Sequence, residues 1–273
     1  QIAVQPTFSR EFYHGDSLVR ASNAFQKVSS VGDMSNRNIL KKWLANRWHT
    51  ELIQASQEPI SELQRNAEFF SGLSGKEHNG KLPKLYLPKI KLPQSHKKNK
   101  FYVLVPGASN DLKRWPLVFF SLLAEKIYRD TGWEGLICGA RNEHHLGLQI
   151  LKLCKAPLKN NAGKTELVEL SGLLSQSQLI ITNDTGTAHI SSAVGTPTVC
   201  ILGGGHFGRF LPYPDLPSQS SKIEAVFHKM PCYDCNWQCV YTFNKGEPAP
   251  CISNVSVDAV WQEVGKIIEA RVS

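Results

Sequence analysis

Two polar turns hold most of the side chains in this sequence that could do chemistry. The first, PGASNDLKRWP (residues 106–116), follows the apolar stretch FYVLV and contains Ser109 and Lys113. The second, NDTGTAH (residues 183–189), follows QLIIT and leads into small helix-forming residues. A lysine ammonium and the free N–H groups at the start of a helix both stabilise a phosphate. Together, the two turns favour a ligand that carries a diphosphate.

In the second turn, the backbone amides of Thr185, Gly186 and Thr187 would be free at the start of the helix. Gly186 has no side chain, so a phosphate could approach it closely. Asp184 would repel a phosphate, and a sugar hydroxyl or the helix cap is a better partner for it. His189 could donate to a phosphate or to a leaving oxygen. A purely structural interpretation also stays open, with Asp184 as an N-cap and His189 as a packed side chain.

In the first turn, Gly107, Ala108 and Ser109 are small enough for a ligand to approach the backbone. The Ser109 hydroxyl could donate a hydrogen bond, and Lys113 would add a compact positive charge suited to a diphosphate. The spacing differs from that of a P-loop, which requires Gly-Lys-Ser/Thr after four intervening residues. An ordinary polar loop between a strand and a helix is the alternative.

After residue 100, predicted strands alternate with predicted helices. The strands are FYVLV, WEGLIC, QLIITN and TVCILG, and the helices are PLVFFSLLAEKIYRDTG, NEHHLGLQILKLC, TELVELSGLLSQ (capped by Thr165) and one that starts at Thr185. This alternation predicts βαβ units and a parallel sheet covered by helices on both faces. Because ligands bind at the carboxyl ends of such strands, both turns lie where a ligand is expected.

Residues 1–80 form the first predicted domain and look mostly helical after an opening strand at QIAVQ. The helix after Ser61, a suitable N-cap, places three apolar residues on one side. These are Leu63, Ala67 and Phe70. An earlier helix is indicated by apolar residues near helical spacing at Ile39, Leu40, Leu44 and Trp48.

Residues 81–100, KLPKLYLPKIKLPQSHKKNK, are predicted to be an extended linker between domains because proline at this spacing excludes a helix. Residues 101–255 form the second predicted domain. Residues 256–273 are predicted to contain an amphipathic helix, with Ser256 as its N-cap. Its apolar face consists of Val257, Val260, Val264 and Ile267.

The sequence carries a net charge of +8, from 31 lysines and arginines against 23 aspartates and glutamates. Such an excess favours anionic partners, with a solubilising surface as the alternative. No run in the sequence approaches the roughly 18 apolar residues that a membrane-spanning helix needs. The first residue is Gln1 rather than methionine, so we expect further sequence to precede it.

Seven cysteines, an odd number, argue against a fully paired secreted scaffold and favour a reducing compartment. Four of them cluster late in the chain with a spacing that fits a structural zinc site. They are Cys232, Cys235, Cys239 and Cys251. A redox-sensitive loop or one or two disulfides fit the same spacing.

The stretch TNDTGTAHISSAVGTPTVCILG, with VLVPGASNDLKRWP some seventy residues upstream, resembles glycosyltransferase family 9, the ADP-heptose:lipopolysaccharide heptosyltransferases and their relatives. FSREFYHGDSLVRASNA looks like the later part of that family's N-terminal domain, and PCYDCNWQCVYTF looks like its cysteine-bearing C-terminal segment. The resemblance implies an α/β fold of the GT-B type. Two Rossmann-like domains would face across a cleft, and the N-terminal one would be truncated in this chain.

The resemblance also implies roles for individual residues. Ser109 and Lys113 would hold the donor diphosphate, and Asp184 would bind the transferred sugar. Glu143, in the segment GARNEHH, is a candidate acceptor for the ribose, although Arg141 stands where an acidic residue is expected. The full implied donor set is Ser109, Lys113, Glu143, Asp184, Thr185, Gly186 and His189. Lys113 and Asp184 are the implied catalytic residues, and the general base is expected upstream of Gln1.

The family's reaction is an inverting displacement, in which an acceptor hydroxyl attacks the anomeric carbon while the nucleoside diphosphate leaves. No Asp-x-Asp motif occurs in this sequence, so we expect protein cations rather than a metal to stabilise the leaving group. No cofactor is expected beyond the zinc that the cysteines could bind. Arg10, Lys42 and Arg47 are candidates for an anionic lipid-linked acceptor, with solvated surface as the alternative.

The resulting hypothesis is a cytoplasmic glycosyltransferase, peripheral to the inner membrane, that moves a heptose from ADP-heptose to a lipopolysaccharide inner-core acceptor. A relative that transfers another sugar and an epimerase-like enzyme are the enzymatic alternatives. A nucleic-acid-binding module built on KLPQSHKKNK and the cysteine cluster is the non-enzymatic one. It is disfavoured because no aromatic residues interleave with the basic run.

Overall fold

The structure is a computed structural model that describes residues 1–87, 100–216, 219–244 and 246–272. These residues form two compact units. One comprises Gln1–Lys81 with Gly208–Phe210, and the other comprises Leu82–Phe207 with Leu211–Ser273. Most of the predicted linker, residues 88–99, lies outside the described residues. Residues 82–87 of the predicted linker belong to the larger unit, where the Leu85 N–H donates to the Ala193 carbonyl (2.9 Å).

The larger unit is built on six parallel strands, β4 (Phe101–Val105), β5 (Glu134–Ile137), β6 (Leu158–Asn160), β7 (Ile180–Asn183), β8 (Thr198–Leu202) and β9 (Ile223–Phe227). Their order across the sheet is β6-β5-β4-β7-β8-β9. The helices are α4 (Leu117–Thr131), α5 (His144–Leu153), α6 (Leu167–Gln176), α7 (Gly186–Val194), α8 (Pro250–Ser253) and α9 (Val257–Val272). The predicted alternation and parallel sheet are confirmed, whereas β6 and β9 were not predicted.

Helices cover both faces of this sheet because its strands are apolar on both sides. Along β4, Tyr102 and Leu104 pack into one buried cluster with residues of α4, α5 and α9. Their neighbours Phe101, Val103 and Val105 pack into a second cluster with α6 and α7. Successive side chains of a strand point to opposite faces. The unit is therefore doubly wound, and α9 is an integral part of its core.

The start of α9 is confirmed, because the Ser256 hydroxyl accepts the Ala259 N–H (3.1 Å). The predicted cap of α6 is one residue off. Glu166, not Thr165, occupies the N-cap, and its N–H donates to the Glu169 carboxylate (2.9 Å). A glutamate three residues into the helix can reach back to that N–H.

The smaller unit corrects the expectation of a mostly helical segment. It contains three parallel strands, β1 (Ile2–Gln5), β2 (Gln26–Ser30) and β3 (Glu51–Ile53), and three helices, α1 (Ser17–Ala21), α2 (Ile39–Asn46) and α3 (Glu62–Ser74). β2 (QKVSS) is mostly polar and β3 (ELI) has only three residues, so neither gave a periodic signal. Ser61 caps α3 as predicted, but Phe69 is buried on it while Phe70 is 45% exposed.

None of the helices in the described part of the chain combines the length and apolar character that a membrane span requires.

Candidate nucleotide-binding site

The two predicted turns meet at the centre of the larger unit. Strand order reverses between β4 and β7, so connections from these neighbouring strands leave in opposite directions. In open α/β sheets such a switch point forms a crevice at the carboxyl ends of the strands, where ligands bind. Residues 106–116 follow β4 and the α7 N-terminus follows β7. The topology therefore brings both turns to this crevice.

Asn183, the last residue of β7, ties the two turns together. Its side-chain amide donates to the carbonyls of Pro106 (2.8 Å) and Gly107 (3.3 Å). Its side-chain oxygen accepts the N–H of Trp115 (3.1 Å). Asn183 is fully buried, so these bonds are shielded from water. Its role was not predicted, although a polar residue closing an apolar strand is a signal that could have indicated it.

We expect Asn183→Ala to lower the free energy of unfolding by about 2–3 kcal/mol, because it leaves buried backbone groups of the first turn without partners. Urea unfolding is the measurement. Asn142→Ala, at an exposed position, is the matched control. Equal stability of the two variants would show that Asn183 does not hold the turn.

Lys113 and Asp184 form an ion pair, with 3.5 Å between Lys113 Nζ and Asp184 Oδ2. Both side chains are largely buried, with exposures of 15% and 8%. The ammonium also lies 4.7 Å from the ring centroid of Trp237, in cation–π geometry. Lys113 is thus held in place from two sides. The alternative that Asp184 caps α7 is wrong, because Thr185 occupies the N-cap.

The cysteine-bearing segment places Trp237 beside Lys113. It packs on the glycines that follow β8, where the N–H groups of Asp234 and Asn236 donate to the carbonyls of Gly204 (2.8 Å) and Gly205 (3.0 Å). A Cβ on Gly205 would lie 2.5 Å from the Trp237 ring, so only glycine leaves room for the indole. Trp237 was not predicted as a site residue, because nothing in the local sequence indicates contact with a lysine 124 positions earlier.

The N-terminus of α7 is prepared for an anion. Thr185 makes no side-chain capping hydrogen bond to the first turn. A Cβ built on Gly186 would meet nothing within 4 Å, so the space beside this residue is open. Free N–H groups and the positive end of the helix dipole both favour negative charge here.

A cavity of about 400 Å³ opens beside these groups. It contains four of the predicted donor residues, namely Ser109, Glu143, Thr185 and Gly186. Leu167 and Leu170 supply apolar surface to the same cavity. Its volume falls within the roughly 300–1,000 Å³ typical of ligand pockets. Lys113, Asp184 and His189 are not part of this lining.

Glu143 corrects the interpretation of Gly107. A Cβ on Gly107 would lie 2.1 Å from the carboxyl carbon of Glu143, so the space beside this glycine is filled by that carboxylate. Glu143 also accepts the N–H of Ala140 (2.7 Å). Gly107 therefore admits a protein side chain rather than a ligand, while Glu143 still borders the cavity.

His189 is oriented by Tyr213, a residue that was not predicted. The distance between His189 Nδ1 and the Tyr213 hydroxyl is 2.7 Å. Burial lowers the pKa of His189, although Asp184 opposes this shift. Burial raises the pKa of Tyr213, so its hydroxyl keeps its proton, and we predict that this hydroxyl donates to Nδ1. The proton of neutral His189 is then on Nε2, which becomes a hydrogen-bond donor.

We expect NMR to show neutral His189 protonated at Nε2, and Tyr213→Phe to raise its pKa, because the tyrosine bond stabilises the neutral ring. Since burial places the pKa of His189 in the folded state below the ordinary histidine value of 6.5, the folded state binds fewer protons than the unfolded chain. The stability that neutral His189 contributes is complete above pH 6.5 and declines as the pH falls below that value. His145 resonances should not move in the variant. Protonation at Nδ1 in the wild type would contradict this assignment.

In the smaller unit, the prediction that Arg10 meets an acceptor is wrong. Arg10 is fully buried, and its Nε lies 2.7 Å from Asp16 Oδ1. Its Nη1 donates to the Ser30 carbonyl (2.6 Å). Arg37 Nη1 joins the same carboxylate at 3.1 Å. Arg10 is thus part of a buried ion cluster at the end of β2 and is neither solvated nor offered to a ligand.

The other two acceptor candidates differ from one another. Lys42 is half-buried, and its ammonium donates to the Gly32 carbonyl (2.8 Å). Burial and the nearby Arg37 lower its pKa. Arg47 is exposed and lies 4.8 Å from the ring centroid of Trp43. An acceptor role for Lys42 or Arg47 stays a prediction.

The four late cysteines are free thiols. The Cys251 sulfur accepts a hydrogen bond from the Gly204 N–H (3.5 Å). Burial raises the pKa of the Cys251 thiol, and the nearby Cys232, Cys235 and Cys239 raise it further. Across residues 1–87, 100–216, 219–244 and 246–272, no three His, Cys, Asp or Glu side chains are grouped so that they could hold a metal ion. In the described residues the four cysteines are therefore not grouped as a zinc site would require, and zinc binding stays a prediction.

Fold and site together define a Rossmann-like α/β unit with a phosphate-suited crevice at its switch point. Residues 61–235, more than half of the chain, match the family model of glycosyltransferase family 9 (heptosyltransferase). The chain belongs to this family.

Among curated relatives, the chain is 32% identical over 103 residues to lipopolysaccharide heptosyltransferase 2 of Escherichia coli K12, covering 36% of this chain and 29% of the relative. It is 30% identical over 174 residues to lipooligosaccharide heptosyltransferase 2 of Campylobacter jejuni, covering 62% of this chain and 51% of the relative. The matches thus span about half or less of these relatives' length.

Solved structures share the fold at low sequence identity. E. coli ADP-heptose lipopolysaccharide heptosyltransferase II superposes with a TM-score of 0.66 at 15% identity, covering 99% of this chain and 76% of that one. E. coli WaaC with ADP-2-deoxy-2-fluoro heptose gives 0.53 at 15%, covering 88% and 65%. The iron-containing glycosyltransferase TibC from enterotoxigenic E. coli gives 0.54 at 11%, covering 98% and 78%. These neighbours support the GT-B fold class.

Proposed function

We propose that this chain transfers a heptose from ADP-heptose to an inner-core acceptor of lipopolysaccharide. The observation that carries the proposal is the placement of Lys113 and Asp184, 3.5 Å apart, at the switch point that also holds the α7 N-terminus. Family membership supports sugar transfer. The names of the heptosyltransferase relatives, and a neighbour bound to an ADP-heptose analogue, support the choice of donor.

The proposed chemistry is an inverting displacement in which the ADP diphosphate is the leaving group. As the bond to the anomeric carbon breaks, negative charge grows on the diphosphate oxygens. The Lys113 ammonium and the amides of Gly186 and Thr187 would stabilise that charge without rearranging. Asp184 would orient the Lys113 ammonium and accept hydrogen bonds from hydroxyls of the sugar. None of the described residues is assigned as the base that takes the proton from the hydroxyl of the acceptor substrate.

The remaining parts of the proposal concern metal and partners. Protein cations would serve in place of a metal at the diphosphate, and no cofactor would be required. The acceptor would be a lipid-linked anionic oligosaccharide reached from the cytoplasmic side of the inner membrane. Nucleic acid would not be a partner.

Calorimetric titration of the chain with ADP, UDP and a single-stranded oligonucleotide tests the proposal. We expect ADP to bind at least about tenfold more tightly than UDP, and the oligonucleotide not to compete. Incubation with ADP-heptose and a heptose-deficient lipopolysaccharide core, followed by mass spectrometry, tests for transfer. A preference for UDP, or binding of the oligonucleotide in place of ADP, would contradict the proposal.

A further inference from the structure

Helix α2 turns its apolar side to solvent. Ile39, Leu40 and Trp43 are 78%, 70% and 56% exposed, whereas Ala45 is completely buried. Ile39 and Trp43 are one turn apart, so they lie on the same face as the adjoining Leu40. A surface helix normally packs its apolar stripe on the core. An outward stripe of this kind marks an interaction surface.

Aromatic rings and cations surround this stripe. The Arg47 guanidinium lies 4.8 Å from the Trp43 ring centroid, and Lys41 Nζ lies 4.7 Å from that of Tyr13. Tyr13 is 70% exposed. The sequence from Arg37 to Thr50 contains no aspartate or glutamate. We name Tyr13, Ile39, Leu40, Trp43 and Arg47 the α2 surface.

We infer that the α2 surface docks onto an anionic lipid bilayer. Tryptophan and tyrosine rings favour the boundary between lipid headgroups and acyl chains, and aliphatic side chains add buried area there. Lysine and arginine beside them are attracted by anionic headgroups. A second copy of the chain fits less well, because its own Lys41 and Arg47 would be brought against like charges.

This inference rests on the proposed function, since transfer to a lipid-linked acceptor requires contact with a membrane. Its test is separate, because the donor residues lie in the other compact unit. ADP binding and vesicle binding can therefore fail independently.

Co-sedimentation with vesicles of phosphatidylcholine alone, or of phosphatidylcholine with phosphatidylglycerol, is the experiment. We expect binding to the anionic vesicles, and a loss of about tenfold or more when Ile39, Leu40 and Trp43 are all replaced by glutamine. The matched control replaces Leu122, Leu148 and Leu153, which are 45%, 46% and 51% exposed in the larger unit, by glutamine. That control should change vesicle binding less than about twofold, and both variants should keep wild-type ADP affinity.

Three outcomes would overturn the inference. The wild-type chain could fail to bind anionic vesicles, or the α2 triple variant could bind them as well as the wild type does. A wild-type dimer that the triple variant converts to a monomer, without vesicle binding, would assign the α2 surface to self-association. Failure of the wild-type chain to bind ADP would instead count against the proposed function alone.

Discussion

Lys113→Ala is expected to weaken ADP binding by about 100-fold or more. The variant removes the positive charge that pairs with Asp184, and it leaves a carboxylate that is only 8% exposed without this partner. A diphosphate would then approach a site whose net charge has changed from neutral to negative. Calorimetric titration of ADP measures the loss directly.

Two further variants separate this effect from a general loss of charge. Lys159→Ala removes an exposed lysine of the same unit that pairs with Glu134 at 2.9 Å, and it should leave ADP affinity unchanged. Asp184→Asn keeps the shape of the side chain while removing its charge, so ADP should bind at least as well as in the wild type. Unchanged ADP affinity in Lys113→Ala would place the diphosphate elsewhere.

Gly186→Val is expected to lower ADP affinity by about 10- to 100-fold without destabilising the fold. The new side chain would meet no protein atom within 4 Å at its Cβ, because that space belongs to the cavity. Replacing glycine in a helix also reduces the entropy of the unfolded chain. Stability should therefore be equal or slightly greater while the ligand is blocked. Thermal unfolding and ADP titration of the same sample measure both.

Gly265→Val is the matched control for this variant. Gly265 lies within α9, and a Cβ there would also meet nothing within 4 Å. It should have a similar effect on stability and none on ADP affinity. If Gly186→Val bound ADP like Gly265→Val, the α7 N-terminus would not be the phosphate site.

Much of the larger unit could be predicted because its signals are local. The apolar strands before Pro106 and Asp184, the proline that precedes α4, and the hydroxyl of Ser256 all act within a few residues of the elements they define. Parallel order then follows from alternation, and it places both turns at one edge of the sheet. The convergence of Ser109, Thr185 and Gly186 in one cavity was therefore predictable.

The remaining features depend on contacts between distant parts of the chain. Trp237 reaches Lys113, and Tyr213 reaches His189, across intervals that no periodicity spans. Arg10 also depends on contacts with distant residues, which bury it instead of bringing it to a binding site. An arginine in a polar segment suggests surface, but Asp16 and the Ser30 carbonyl compensate its charge inside the smaller unit.

The α2 helix shows a further limit. Apolar residues at helical spacing predicted the helix correctly, but spacing alone does not say whether Leu40 and Leu44 face a core or solvent. The structure leaves them 70% and 38% exposed. Periodicity identifies which side chains share a face, but the packing of the rest of the unit decides what that face meets.

A crystal structure of this chain with ADP tests the central claim most directly. We expect the diphosphate oxygens to accept hydrogen bonds from the amides of Gly186 and Thr187 and from the Lys113 ammonium, with the nucleoside extending toward Glu143 and Leu167. A diphosphate bound away from the α7 N-terminus, or a cavity closed by side chains while ADP binds elsewhere, would contradict the account.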